Sequence, residues 1–253
     1  MTSDPHIQVA REAAVQTIRF NRADKKNAIT RSMYAAMTAA LKDAESDTSI
    51  GVHVFLGQPG VFSSGNDVQD FMAFAMSGEM GTEVLDFLHT LAELKKPLVS
   101  AVDGLAIGIG TTIHMHCDLT FATPRSLFKT PFVDLALVPE AGSSLLAPAS
   151  MGHQRAFAML AMGEDFSAQD AADAGLIYKV VEEDELEPTA MAAAQALAEK
   201  PPVALSIAKR LMKVAPEVLT QRVNEEAQHF SAQLKSDEAK AAFMAFMARK
   251  KAS

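Results

Sequence analysis

Two hydrophobic rhythms divide the chain. Up to about residue 130, short apolar runs of strand length alternate with stretches whose apolar residues recur every three or four positions. From Ser143 onward the helical spacing is almost uninterrupted. Ile7 to Ala10 and Val15 to Phe20 read as two short strands forming a hairpin. Thr30 stands where it can cap a helix, with Met33, Ala36, Met37, Ala40, Leu41 and Ala44 following at helical spacing. Val52 to Leu56 predicts a strand ending at Gly57. Val68 to Ala75 and Glu83 to Leu94 predict helices, with a break at Gly78 and Gly81 between them and Pro97 ending the second. Leu98 to Val102 is a further strand running into Asp103-Gly104. Gly108 to His116 is Gly-spaced and apolar, which predicts a buried helix, and Asp118 to Ala122 and Leu127 to Lys129 predict strands.

Farther along, Ser167 can cap a helix from Ala168 to Ala174, with Gly175 as its stop. Leu186 to Ala198 is Ala-rich and helical, and Pro201-Pro202 punctuates it. Ser236 can cap the last helix, where Ala239, Phe243, Phe246 and Met247 make one apolar stripe that predicts packing against the body or a neighbouring subunit. The β-α-β-α order of the first half predicts an α/β fold with ligands at the strand-to-helix loops.

Composition narrows the class. At 253 residues the chain is one large domain, or one domain with an appendage. With 49% hydrophobic and 21% charged residues, wholesale disorder is excluded. The 23 basic residues against 31 acids give a net charge of -8, which argues against a general nucleic-acid binder but leaves room for a local basic patch. Cys117 is the single cysteine, so neither an internal disulfide nor a zinc site of several cysteines is available. The first residues lack the pattern of a signal peptide, and no apolar run approaches the roughly 20 residues of a membrane helix. The expectation is a cytoplasmic protein.

Several motifs admit two readings. Gly104, Gly108 and Gly110 suggest a dinucleotide loop, but the third glycine of that motif would fall at Ile113; close backbone approach is the better reading. No serine-hydrolase elbow is present. His114 and His116, two apart without a third ligand, point to packing or hydrogen bonding rather than a metal, and Cys117 beside them to a buried small hydrophobe. Arg19, Arg22, Lys25 and Lys26 surround one acid, Asp24, which fits a solvated turn or a phosphate contact equally well. The segments Phe62 to Asp67 and Val102 to Gly110 each end a strand and open a helix. Asp67 could serve only as a cap, yet two such loops facing each other would present free N–H groups as an oxyanion hole.

The order and spacing of these segments resemble the crotonase family of enoyl-CoA hydratases and isomerases along nearly the whole chain. The anchors are Asn21 to Ile29, Phe62 to Asp67, Val102 to Gly108, Cys117-Asp118, and Phe166 to Ala171 with Gly175-Leu176. The resemblance implies a spiral of ββα units over residues 1–200 and a helical region over 201–253 that trimerises, often as a dimer of trimers. It implies an acyl-CoA ligand, with no cofactor beyond the coenzyme A moiety and no metal. The thioester carbonyl would be held by the backbone N–H groups of Asn66 and Ile109. Lys25, Lys26, Ala28, Gly108 and the loop of Ser63, Ser64, Gly65, Asn66 and Asp67 would lie along the CoA, which turns the basic cluster toward a phosphate contact.

One departure from the family pattern is informative. The two glutamates that hydratases use are replaced here by Thr112 and Phe132, while an acid appears at Glu140. That arrangement resembles the peroxisomal-type Δ3,Δ2-enoyl-CoA isomerases, as do Thr130-Pro-Phe132, Ser143-Ser144 and Pro201 to Ser206. Hydration needs one group to activate water and another to manage the proton at C2. Double-bond migration needs a single carboxylate that removes a proton at C2 and returns it at C4, and Phe132, Leu137 and Val138 would supply the apolar wall that lifts its pKa. Glu140 could instead be only a charge at a helix N-terminus. The reading is a 3-enoyl-CoA isomerase of fatty acid degradation with Glu140 as base and acid; the alternatives are a hydratase or other crotonase reaction, and a non-catalytic acyl-CoA-binding subunit.

Overall fold

In the computed structural model, which describes residues 4–70 and 81–252, the strand signals resolve into two sheets. The chain opens with the hairpin β1 (Ile7–Glu12) and β2 (Val15–Phe20), then α1 (Arg31–Ser46). Next come β3 (Val52–Leu56), β4 (Val61–Ser63) and α2 (Thr82–Glu93). The same pattern repeats in β5 (Leu98–Val102), β6 (Leu105–Ile107) and α3 (Ile109–Thr112), and again in β7 (Leu119–Ala122) and β8 (Leu127–Lys129). Each repeat lays one strand in the first sheet and one in the second before a helix returns the chain. With β9 (Phe166–Ser167) and β10 (Lys179–Val180), the sheets read β1-β2-β3-β5-β7-β10 and β4-β6-β8-β9.

All five residues of β3 and of β5 are buried, because parallel strands covered on both faces need no polar alternation. The three-residue strands β4 and β6 escape the sequence pattern because they lie within glycine-bearing turn segments. They nevertheless carry the site. Phe20 and Phe55 of the first sheet meet Phe62 of the second, with ring centroids 6.0 Å apart for Phe20–Phe55 and 5.1 Å for Phe20–Phe62. The outer face of the first sheet is covered by α7 (Leu186–Ala198), whose Leu186, Ala190 and Ala194 pack with Val54, Val99 and Phe121.

The local punctuation follows the sequence closely. Thr30 Oγ1 accepts the Met33 N–H, and Ser167 with Asp170 closes a reciprocal cap on α6 (Ala168–Ala174), which Gly175 ends in the left-handed region. The segment expected as one buried helix from Gly108 to His116 is instead a single turn, α3, that tightens into a 3₁₀ turn over Ile113–His116. Residues 71–75 of the helix expected from Val68, and the break at Gly78, lie outside the described residues.

The helical half comprises α4 (Ser143–Met151), α5 (His153–Leu160), α6, α7, α8 (Pro202–Met212), α9 (Pro216–Leu234) and α10 (Asp237–Ala252). The long helix α9 folds back onto α2 and α4, burying Leu219, Val223, Glu226, Phe230 and Leu234. Ala239 of the expected C-terminal stripe is buried and Phe243 packs on the main core; the Phe246 and Met247 side chains lie outside the described residues. No helix among the described residues is long and apolar enough to cross a membrane.

Candidate active site

The turn after β4 and the turn after β6 face one cleft. Ile29 donates its N–H to Gly65 O (2.8 Å), and Asp67 donates to Ile29 O (2.9 Å), making a one-residue parallel bridge between Ile29 and Asn66. Strand alternation then turns the N–H of Asn66 to the opposite side. Gly65 has φ +92°, and a Cβ there would stand 2.9 Å from Ile107 O. Gly108, at φ +59°, lets β6 break directly into α3, so Ile109 sits in the first turn of a helix with no intrahelical acceptor for its N–H. Among the described residues, neither the Asn66 nor the Ile109 amide donates to a protein acceptor. Both line a cleft of about 590 Å³ that Glu140 also borders.

Glu140 is only 8% exposed. Burial pushes its carboxyl up to about 8, against a smaller downward pull from the Thr112 hydroxyl, which donates to Oε1 at 2.7 Å; the charge of Glu226 adds to the upward push. The wall anticipated from the sequence is present in Phe132 and Leu137, joined by Phe230 from α9. Glu140, Asn66 and Phe230 also line a smaller inner cavity of about 40 Å³, with Tyr34, Leu88 and Val223. Asp134 borders the cleft too, but as an exposed residue.

The backbone carrying Glu140 is clamped. Ala141 has φ +61° and Gly142 φ +70°, so two successive residues sit in the left-handed region. His116 Nε2 lies 2.7 Å from Ala141 O; since a carbonyl only accepts, this nitrogen carries the proton. The Glu226 carboxylate accepts the N–H groups of Gly142 (2.6 Å) and Ser144 (2.9 Å). The amides at the start of α4 are therefore served by Glu226, and Glu140 is not spent as a helix cap. Burial holds His116 near 4 and His114, packed against Phe62 at 4.7 Å, near 3, so both rings are neutral. No group of three or more His, Cys, Asp or Glu among the described residues is placed to hold a metal ion.

The structure divides the expected CoA-binding residues. Ser64, Gly65, Asn66, Gly108 and Ile109 line the cleft. Ser63 is fully buried, its hydroxyl donating to Asn27 O and accepting from Gly65 N–H. Asp67 pairs with Arg22 at 2.5 Å, which helps to hold its carboxyl below the usual range although burial pushes the other way; its Oδ1 also caps Gln69. The side chains of Ser63 and Asp67 are thus framework. The four-residue basic cluster is reduced likewise, because Arg19 pairs with Glu187 (2.6 Å) and Arg22 with Asp67. Lys25 and Lys26 remain exposed, with Lys26 O tied to Ser64 N–H at the rim and Ala28 half-buried beside them.

Three features were missed from sequence. Thr112, noted only as an absent acid, holds Glu140. Tyr34, noted nowhere, donates to Asn66 Oδ1 at 2.5 Å and so braces the loop that presents the first amide. Glu226 had a visible signal: a carboxylate inside the apolar stripe Leu219, Val223, Glu226, Phe230, Leu234.

A ββα spiral in which two free amides and a buried carboxylate share a cleft is the crotonase fold. A solved structure of Pseudomonas aeruginosa OdaA superposes with a TM-score of 0.91 at 41% identity, covering 96% of this chain and 99% of that one. Residues 10–253 match the enoyl-CoA hydratase/isomerase family, to which the chain belongs. It is 36% identical to enoyl-CoA delta isomerase 2 of Rattus norvegicus over 96% of its own length and 64% of the rat protein, so it spans just under two thirds of that relative. To the peroxisomal enoyl-CoA delta isomerase 3 of Mus musculus it is 35% identical, over 87% of this chain and 71% of the mouse protein.

Proposed function

We propose that the protein isomerises 3-enoyl-CoA to 2-enoyl-CoA in fatty acid degradation, with Glu140 as base and acid. The observation that carries this reading is the buried Glu140 carboxyl lining one cleft with the two free amides, with Thr112 and Phe132 where the resemblance places the hydratase acids. Glu140 takes the C2 proton, and the electron pair flows to the thioester oxygen, giving a dienolate. The Asn66 and Ile109 N–H groups stabilise that charge; loss of one donor from such a hole costs roughly 3 kcal/mol. Glu140 then returns the proton at C4 as the double bond moves from C3–C4 to C2–C3, so no water is consumed. A buried acid titrating near neutrality suits both halves of the step.

The test is to supply 3-enoyl-CoA and follow the conjugated thioester absorbance, then supply 2-enoyl-CoA and follow its loss. Rapid hydration without isomerisation would assign the protein to the other branch of the family. In this reading Lys25 and Lys26 contact the CoA phosphates from the rim. Changing both to Glu is expected to raise KM several-fold with kcat little altered, because such contacts serve ground and transition states alike. An unchanged KM would make them a solvated turn.

The same reading includes assembly as a trimer or dimer of trimers. It is supported by the outward face of α8, where Val203, Leu211 and Met212 are 72%, 77% and 81% exposed. A monomer by light scattering at micromolar concentration would refute it.

A further inference from the structure

We propose that Glu226 is a positioning residue for Glu140: its carboxylate ties the two amides at the start of α4, fixing the turn that carries the base, and sets a negative charge behind it. This rests on the reading of Glu140 as the base. Glu226 comes from α9, more than eighty residues later in the chain, yet is 5% exposed and spends one oxygen on Gly142 N–H and the other on Ser144 N–H. A carboxylate in an apolar helix stripe costs stability unless its bonds are needed. What they hold is unusual, because Ala141 carries a Cβ in the left-handed region, which a free turn avoids. His116 bonds the Ala141 carbonyl, and Thr112 bonds the Glu140 carboxyl. The turn is therefore held at three successive residues, Glu140, Ala141 and Gly142, the last of them by an acid from α9.

Among the described residues, charged and titratable groups face this pair from several elements. Burial pushes the Glu226 carboxyl above its ordinary value, while its bonds to the Ser144 and Gly142 amides and the charge of Arg222, one turn earlier on α9, pull it back toward ionisation; Arg222 also donates to Ser144 Oγ. Tyr34 faces Glu140 from α1 as a neutral phenol, and Arg31, also from α1, and Asp70 line the same inner cavity. Lys129 and Asp134 border the outer cleft, and His116 is neutral. Removing the Glu226 charge favours the ionised form of Glu140, so its titration midpoint falls.

Two substitutions separate charge from reach. Glu226→Gln removes the charge and leaves one acceptor. Glu226→Asp keeps the charge but is one methylene short of the amides. Infrared difference spectra, each taken against the matching protein that also carries Glu140→Gln, isolate the Glu140 carboxyl and give its midpoint without turnover. A failure of the isomerase reading therefore does not erase this test. Glu226→Gln is expected to lower that midpoint by roughly one pH unit, and the alkaline-going rise of kcat/KM with it. Glu226→Asp is expected to leave the midpoint in place while lowering kcat roughly 10–100-fold through misplacement. Adding Ala141→Gly, which removes the strain the clamp opposes, should recover much of the Asp variant's loss and keeps the question decidable if Glu226→Gln does not fold. A midpoint unmoved in Glu226→Gln, a wild-type kcat in Glu226→Asp, or no recovery from Ala141→Gly would overturn the proposal.

Discussion

Glu140→Gln is expected to slow isomerisation by roughly 10²–10⁴-fold, the range for a lost general base, while acyl-CoA binding stays near normal. The side chain keeps its size, and its carbonyl oxygen still accepts from Thr112, so the cleft changes little except in its capacity to take a proton. Retained isomerase activity would eliminate the mechanism. The same variant has a stability signature of defined sign. In the folded state Glu140 holds its proton up to about 8, against an ordinary value of 4.5. Between those values the folded protein binds more protons than the unfolded chain, so the buried acid lowers stability progressively as pH rises through the window. Glu140→Gln should therefore melt close to wild type at pH 5 and above it at pH 8. Equal melting temperatures at both would show that the carboxyl is not buried as described.

The second large effect is in the pH profile. An active base must be ionised, so wild-type kcat/KM should rise with pH through a midpoint near 8 and level off above it. Thr112→Val removes the hydroxyl that favours the ionised form while keeping the volume. A hydrogen bond to a charged group is worth roughly 1.5–3 kcal/mol, so the midpoint should move up by roughly one unit or more. At pH 7 this variant should be roughly ten times slower than wild type, with the gap closing on the alkaline plateau. A profile displaced downward at every pH, with its midpoint unmoved, would assign Thr112 to packing instead.

These expectations depend on contacts that differ in how far the sequence disclosed them. Local signals read well: the Thr30 and Ser167 caps, the Gly175 stop and the limits of β2, β3, β5 and α7 depend on residues within a few positions of each other. The buried helix expected over Gly108 to His116 is α for only its first turn and 3₁₀ for the rest, where His116 is bonded to Ala141 O. The basic cluster is reduced for a related reason: Glu187 and Asp67, remote in sequence, pair with two of its four members and leave Lys25 and Lys26.

Sequence by itself determined the α/β class, the two glycine-bearing turns and the presence of an acid at Glu140 in place of the expected pair. Left-handed backbone at Gly65 and Gly108 is a property of the residue type, and residue type is what a sequence displays. Only the tertiary structure decided that Ser63 and Asp67 turn inward, that Thr112 grips the base, and that Glu226 returns on α9 to hold the turn beneath it. Those outcomes depend on desolvation and on bonds between residues tens of positions apart. A carboxyl reads the same in any string of letters, and its proton affinity is set by what folding packs around it.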